Sequence, residues 1–199
     1  MRLNGLFSTE NYCKPQNNGF REACKIGDSG IIELLPLVKC RSYQGRFVLT
    51  DKGNISAFLQ KSIGDIAFNC KNQKIWGIEV KTERKTTGNF FLELWSNRSR
   101  QTPGWMHTLI TDFLWYYFQD SKTLYSIQFK KLQDWAFTKD KIYQFPLKQQ
   151  KAYQQLNDTW GALVPISLVQ NEVGIKKFYK GLDFNGLFLV FGFWFKVSF

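Results

Sequence analysis

Two acidic residues and one lysine are spaced so that they could act together on a phosphodiester. Glu79 and Lys81 are two positions apart in the alternating segment Ile75–Thr82, so both side chains project from the same face of a strand. Asp65 lies upstream in a second alternating segment, Ile63–Cys70. The short polar link between the segments predicts an antiparallel hairpin, which brings Asp65 within reach of Glu79.

These residue types match the requirements of phosphodiester hydrolysis. The reaction needs charge offset on the phosphoryl oxygens and a hydroxide-like nucleophile near neutral pH, and a divalent cation supplies both. Mg²⁺ prefers a few carboxylate oxygens and keeps several waters. A neighbouring ammonium group positions or deprotonates the attacking water and offsets developing charge. Asp65, Glu79 and Lys81 meet that description.

A structural reading of the same residues stays open. It makes Glu79 and Lys81 a surface ion pair and Asp65 incidental. Against it, charged residues embedded in apolar strands need a reason, because burial without partners is costly. A second Glu-x-Lys pattern, Glu83 with Lys85, lies in a charge-dense stretch and is interpreted as a solvated turn.

The motif also resembles a known family. Gly64 and Asp65, followed by Gly77, Glu79 and Lys81, resemble the PD-(D/E)XK nuclease superfamily, which includes restriction endonucleases, junction resolvases and recombination exonucleases. The resemblance implies that Asp65 and Glu79 hold Mg²⁺ (or Mn²⁺) and that Lys81 assists the nucleophile. DNA is then hydrolysed by direct attack of water. Many members pair to cut two strands, so the resemblance leaves a homodimer open.

The chain departs from the family pattern in two ways. Gly64 stands where the pattern has a proline, which is not a ligand position. The upstream helical acid that many members carry is not identified, although Glu22, Glu33 and Asp51 are candidates. The number of metal ions therefore stays open. The stretch of residues 89–105 is similar to uncharacterised phage-type proteins of the same superfamily.

The fold class predicted is α/β (α+β), with a restriction-endonuclease-like core whose central mixed β-sheet is flanked by helices. The chain is expected to form a single nuclease domain over 1–199, with its core at about 45–137 and a helical, aromatic C-terminal extension at 138–199. The family order of strand, strand, helix and strand matches roughly residues 45–130. Besides the hairpin, the pattern predicts strands at Arg46–Thr50, Gly88–Trp95 and Leu124–Phe129, and helices at Lys131–Phe137, at Lys148–Leu156 and from Thr102 through Tyr117. The segment Ile31–Val38 is expected to pack on the core.

Composition favours a polyanionic partner. Lys and Arg number 27 against 16 Asp and Glu, a formal net charge of +11. This favours nucleic acid, although an anionic membrane surface would also attract the chain. Predicted DNA contacts are Arg98 and Arg100 in a basic loop, Arg84 and Lys85 beyond the site strand, and Gln60 before the Asp65 strand. A merely solvated loop is the alternative for the first pair.

The cysteines, the single histidine and the apolar segments indicate which kind of metal site and which cellular compartment to expect. The four cysteines are scattered and there is one histidine, which argues against a zinc site. Reduced thiols in a cytoplasmic protein, of a bacterium or a phage-infected host, are the simpler expectation. No signal peptide is recognised. The apolar segment Leu187–Phe195 is far shorter than the roughly 20 residues of a spanning helix, so no membrane segment is expected.

Three function classes remain on the sequence alone. The leading prediction is a Mg²⁺-dependent deoxyribonuclease. The alternative is a non-catalytic nucleic-acid-binding protein with a degenerate nuclease fold, and a third is a structural or assembly protein of a phage or mobile element. Glu93 is interpreted as a salt-bridge partner rather than a further ligand, and His107 as a surface residue rather than a general base.

Overall fold

The computed structural model describes residues 18–38, 43–48, 59–60, 62–70, 75–150 and 158–179, which form two β-sheets and four α-helices. The strands are Tyr43–Val48 (β1), Ile66–Cys70 (β2), Ile75–Glu83 (β3), Asn89–Asn97 (β4), Thr102–Pro103 (β5), Phe113–Phe118 (β6), Thr123–Gln128 (β7), Leu147–Gln149 (β8), Trp160–Pro165 (β9) and Lys176–Tyr179 (β10). The helices are Asn18–Leu34 (α1), Trp105–Thr108 (α2), Phe129–Phe137 (α3) and Ile166–Glu172 (α4), with 3₁₀ turns at Leu35–Leu37 and Thr138–Gln144.

The larger sheet is mixed. Its strand order is β1-β2-β3-β6-β7-β10, and every neighbouring pair is antiparallel except β3 and β6, which run parallel. The smaller sheet has the order β5-β4-β9-β8 and is antiparallel throughout. Parallel neighbours need a long crossover. Here the crossover from β3 to β6 contains β4, β5 and α2, so it connects the two sheets.

The larger sheet is covered on both faces. On one face, Leu34 and Val38 from the α1 region pack against Ile78, Val80 and Trp115. On the other, alternate residues of β6 pack against β4 and α3, in a cluster that includes Phe90, Leu92, Leu94, Leu114, Tyr116, Phe118, Phe129 and Leu132. The result is a mixed α/β fold in which the sheet around β3 and β6 is the structural centre.

The predicted hairpin is confirmed, but its first strand begins at Ile66 and not at Ile63, since Ile63 is helical and Asp65 lies in a bend before the strand. β2 and β3 are antiparallel, with Ile66 opposite Ile78 and Phe68 opposite Trp76. The strands predicted near 46, 88 and 124 and the helix near 131 are also present. The expectation that Ile31–Val38 packs on the core is confirmed as well, since Leu34 and Val38 are buried. These segments succeed because each has one apolar face at a clear period.

The long helix predicted from Thr102 is wrong. Thr102 and Pro103 form the short strand β5, helix α2 has only four residues, and Phe113–Phe118 is a strand. The apolar spacing from Met106 to Tyr117 fits a helix, but β6 is a central strand buried on both faces. Such a strand is a continuous apolar run, which periodicity does not separate from a buried helix.

The C-terminal part of the chain differs from the predicted helical extension. Residues 147–149 form β8 rather than the start of a helix over Lys148–Leu156, and 151–157 lie outside the described residues. Strands β8 and β9 complete the smaller sheet and β10 lies at an edge of the larger one. The predictions for Asp51 and Leu187–Phe195 also fall outside the described residues.

Two other expectations concern the cysteines and membranes. Cys24, on α1, is disulfide-bonded, so the expectation of reduced thiols is wrong at this position. Of the helices that the structure describes, none combines the length and the apolar character that crossing a bilayer requires.

Candidate metal and nucleic-acid site

An ion pair between Glu79 and Lys81 forms the centre of the candidate site. The Lys81 Nζ lies 2.5 Å from the Glu79 Oε1, and the two side chains are 31% and 9% exposed. Both project from the same face of β3 because they are two positions apart in an extended strand. The pair therefore sits in a largely buried place with one side, that of the lysine, open to solvent.

Asp65 joins this pair from the bend immediately before β2, the neighbouring strand. It immediately precedes Ile66, which is opposite Ile78, so the register places Asp65 alongside Glu79. Its Oδ2 accepts a hydrogen bond of 2.9 Å from the Val80 N–H. Its Oδ1 accepts one of 3.1 Å from the Gln60 Nε2. These bonds fix the orientation of the carboxylate beside β3.

Gly64 makes this approach geometrically possible. Its φ is +102°, in the region that favours glycine. A Cβ there would lie 2.7 Å from the backbone carbonyl of Ile78. Proline, which holds φ near −65°, is incompatible with this turn. The backbone conformation and the close approach to β3 therefore both favour glycine at this position.

Glu93, for which the sequence predicts a salt bridge with basic residues, is a third acid close to Lys81. It lies on β4, and its carboxylate accepts a hydrogen bond from the Trp105 N–H. The Lys81 Nζ lies 5.2 Å from the centre of the Trp105 ring, so Glu93 and Lys81 are both next to Trp105. The alternation of charged and apolar residues in β4 was visible in the sequence. The sequence does not show that the crossover between β3 and β6 brings β4 next to Glu79 and Lys81.

The charges of the cluster influence one another. Burial raises the pKa of Glu79 from 4.5 to about 7; Lys81 opposes this rise, and Asp65 and Glu93 add to it. Burial would lower the pKa of Lys81, but attraction to Glu79, Asp65 and Glu93 outweighs it and the pKa is raised. Three acids around one ammonium leave surplus negative charge, so both groups hold protons tightly.

The raised pKa of Glu79 has a consequence for stability. Because the folded protein holds this proton up to pH about 7 and the unfolded chain releases it near pH 4.5, the charged form opposes folding, and stability falls as pH rises through that interval. Glu79→Gln mimics the protonated acid. When the pH is raised from 5 to 8, the free energy of unfolding of this variant should increase by about 1–3 kcal/mol relative to that of the original protein. Urea unfolding in chelator at both pH values measures this difference. A relative loss over the same interval would contradict the assignment.

The donor set suits a hard cation. Within the part of the chain that the structure describes, no three acidic, histidine or cysteine side chains are arranged to hold a metal ion by themselves. Mg²⁺ does not need such a cage, since it is held by one or two carboxylates and keeps several waters. Asp65 and Glu79 are the two that fit. Glu93 is in electrostatic reach but is engaged with the Trp105 N–H.

The other candidate residues are placed as follows. Gln60 belongs to the site because it binds Asp65 directly. Arg84 and Lys85 are exposed just after β3, and Arg98 and Arg100 are exposed just after β4. Three further residues were considered for site roles. Of these, Glu33 pairs with Lys122 at 3.0 Å, His107 is exposed with its ring 4.6 Å from that of Phe137, and the side chain of Glu22 lies outside the described residues.

Comparisons of the chain with protein-family models, with curated proteins and with solved structures give no match.

Proposed function

We propose that the protein is a metal-dependent nuclease that hydrolyses DNA at the site formed by Asp65, Glu79 and Lys81. One observation carries the proposal: the Glu79 carboxylate on β3, the Asp65 carboxylate from the bend before β2 and the Lys81 ammonium lie close together, with the lysine partly open to solvent. A surface ion pair with an incidental aspartate does not account for the burial of Glu79, whose side chain is only 9% exposed.

The carboxylates, the lysine and the residues that support them have separate roles in the proposed reaction. Asp65 and Glu79 would hold Mg²⁺ or Mn²⁺. When bound, such an ion offsets phosphoryl charge and lowers the pKa of water. Lys81, which reaches solvent, would orient the attacking water and offset the charge that develops on the phosphoryl oxygens. Gln60 and the Val80 N–H hold the Asp65 carboxylate in place. No residue is required as a covalent nucleophile.

Charge supports DNA as the substrate class. The formal net charge of +11 attracts a polyanion over long range. The exposed Arg84 and Lys85 continue directly from the strand that carries Glu79 and Lys81, so phosphates near the site can be neutralised. Arg98 and Arg100 extend the same function from the end of β4.

The experiment is a cleavage assay on purified protein with duplex, nicked, branched and single-stranded DNA. Each substrate is incubated with Mg²⁺, with Mn²⁺ and with chelator. We expect cleavage of at least one substrate with either ion and none with chelator. Cleavage that persists in chelator would contradict the proposed role of Asp65 and Glu79 as metal ligands.

The second candidate is a non-catalytic nucleic-acid-binding protein with a degenerate nuclease fold. The finding that favours it is that no third ligand completes a metal cage among the described residues. It predicts salt-sensitive DNA binding without cleavage of any substrate under any metal condition. The same assay, run beside a binding titration, separates the two.

A further inference from the structure

A stacked group of aromatic and arginine side chains lies on the smaller sheet, outside the candidate metal site. Trp95 of β4 and Trp160 of β9 are directly opposite each other across the antiparallel pair, so both indoles are on the same face. The Arg98 guanidinium lies 4.6 Å from the centre of the Trp160 ring and 5.5 Å from that of Trp95. We call these three residues the Trp–Arg platform.

Asp158 holds this platform in place. Its carboxylate accepts hydrogen bonds from the Trp160 Nε1 at 2.6 Å, from the Gln149 Nε2 at 2.9 Å, and from the Ser99 N–H and hydroxyl at 2.8 and 2.5 Å. Its backbone carbonyl accepts the Arg98 N–H at 2.8 Å. The loop that carries Arg98 is thus tied to the strand that carries Trp160, which lowers the entropy cost of binding a ligand there.

The platform is accessible and adjoins the metal site. Arg98 is exposed, and both tryptophans are only half-buried although Trp95 also packs against the core. Glu93 and Trp95 are two positions apart on β4, so their Cα atoms are at most about 7.6 Å apart. A β-bulge in the pairing of β4 with β9 lies between them.

The chemistry of the platform selects a particular ligand. Indole rings and a planar guanidinium bind flat aromatic groups by stacking, and Arg98 and Arg100 supply charge for phosphates. In a duplex the base faces are covered by their neighbours, whereas unpaired bases expose them. We propose that the Trp–Arg platform binds unpaired nucleotides of single-stranded DNA, and so feeds a single-stranded segment to the proposed nuclease site. The delivery of the strand to a nuclease site depends on the proposed function, whereas the binding of single-stranded DNA does not.

The test is a binding titration in chelator, so that no cleavage interferes. A short fluorescein-labelled oligothymidylate and a hairpin duplex are the probes, and anisotropy is the readout. We expect Trp160→Ala and Arg98→Ala to weaken oligothymidylate binding by about tenfold or more. Lys130→Ala, which removes an equal charge from an exposed position on α3, is the matched control and should change both affinities only slightly.

The outcomes distinguish a failure of the proposed platform from an unfolded variant and from a failure of the proposed nuclease function. Thermal unfolding checks that Trp160→Ala is folded; if it is not, Arg98→Ala decides, because that side chain is exposed. The platform is overturned if Arg98→Ala binds oligothymidylate as well as Lys130→Ala does, or if it weakens duplex binding to the same degree. A platform that binds single strands in a protein that cuts nothing would overturn the proposed nuclease alone. Cleavage of DNA by a protein whose single-strand binding is insensitive to Arg98 would overturn the platform alone.

Discussion

Asp65→Asn is expected to lower metal-dependent DNA cleavage by about a thousandfold, and Glu79→Gln and Lys81→Met by similar factors. A bound metal ion contributes several kcal/mol of charge stabilisation, and each ~1.4 kcal/mol corresponds to a factor of ten in rate. The asparagine keeps an oxygen that can accept the Val80 N–H, so the hairpin is retained. Single-turnover cleavage with Mg²⁺, at the pH where the original protein is most active, measures the loss.

Asp112 provides a matched control for Asp65. Its Oδ2 accepts the Gly77 N–H at 2.9 Å, as the Asp65 Oδ2 accepts the Val80 N–H at the same distance on the same strand. Asp112 is not among the charges that shift the pKa of Glu79 or Lys81. Asp112→Asn should therefore keep most of the activity. Equal losses for the two substitutions would mean that backbone support of β3, and not metal binding, explains the effect.

The second large effect concerns stability. Gly64→Ala is expected to lower the free energy of unfolding by about 3 kcal/mol or more, because it combines an unfavourable φ with a Cβ that has no room. The new atom would lie 2.7 Å from the Ile78 carbonyl and 2.8 Å from the Glu79 nitrogen, both of which are backbone atoms that cannot rotate away. Urea-induced unfolding measures the change.

Alanine substitutions at two other glycines distinguish the cost of backbone strain from the cost of steric conflict. Gly88 has φ +78° but nothing within 4 Å of its added Cβ, so Gly88→Ala should cost only about 1 kcal/mol. Gly27 lies in α1 and is also clear of neighbours, so Gly27→Ala should stabilise the protein by up to about 1 kcal/mol. If Gly64→Ala costs no more than Gly88→Ala, the close approach of Gly64 to β3 is not rigid.

The part of the site that lies in one local element could be predicted from the sequence. Alternation in two segments joined by a short link predicts that Asp65, Glu79 and Lys81 lie together, and the antiparallel pairing of β2 with β3 agrees with that prediction. Asp65 itself lies in the bend before β2 and not in the strand. Glu93 could not be placed in the same way. It comes to the site through a crossover whose course depends on the parallel pairing of β3 with β6, which no local signal specifies.

The second sheet shows the same limit for the fold. β4 pairs with β9, and the partners Asn89 and Pro165 are far apart in the sequence. A strand whose partner is distant carries no sign of that partner in its own residues. The error over Met106–Tyr117 has a different origin, because β6 has both faces covered and so lacks the polar positions that reveal a period of two.

The crossover also determines the order in which these parts can come together as the chain folds. The β2–β3 hairpin is local and can close early, whereas the β4–β9 pairing must wait until both distant strands exist and the cost of closing a long loop is met. A nascent chain that ends before Trp160 already contains the β2–β3 hairpin, but it lacks β9, the longer of the two strands that pair with β4. The position of Glu93 beside Lys81 therefore depends on a pairing that can form only late in folding.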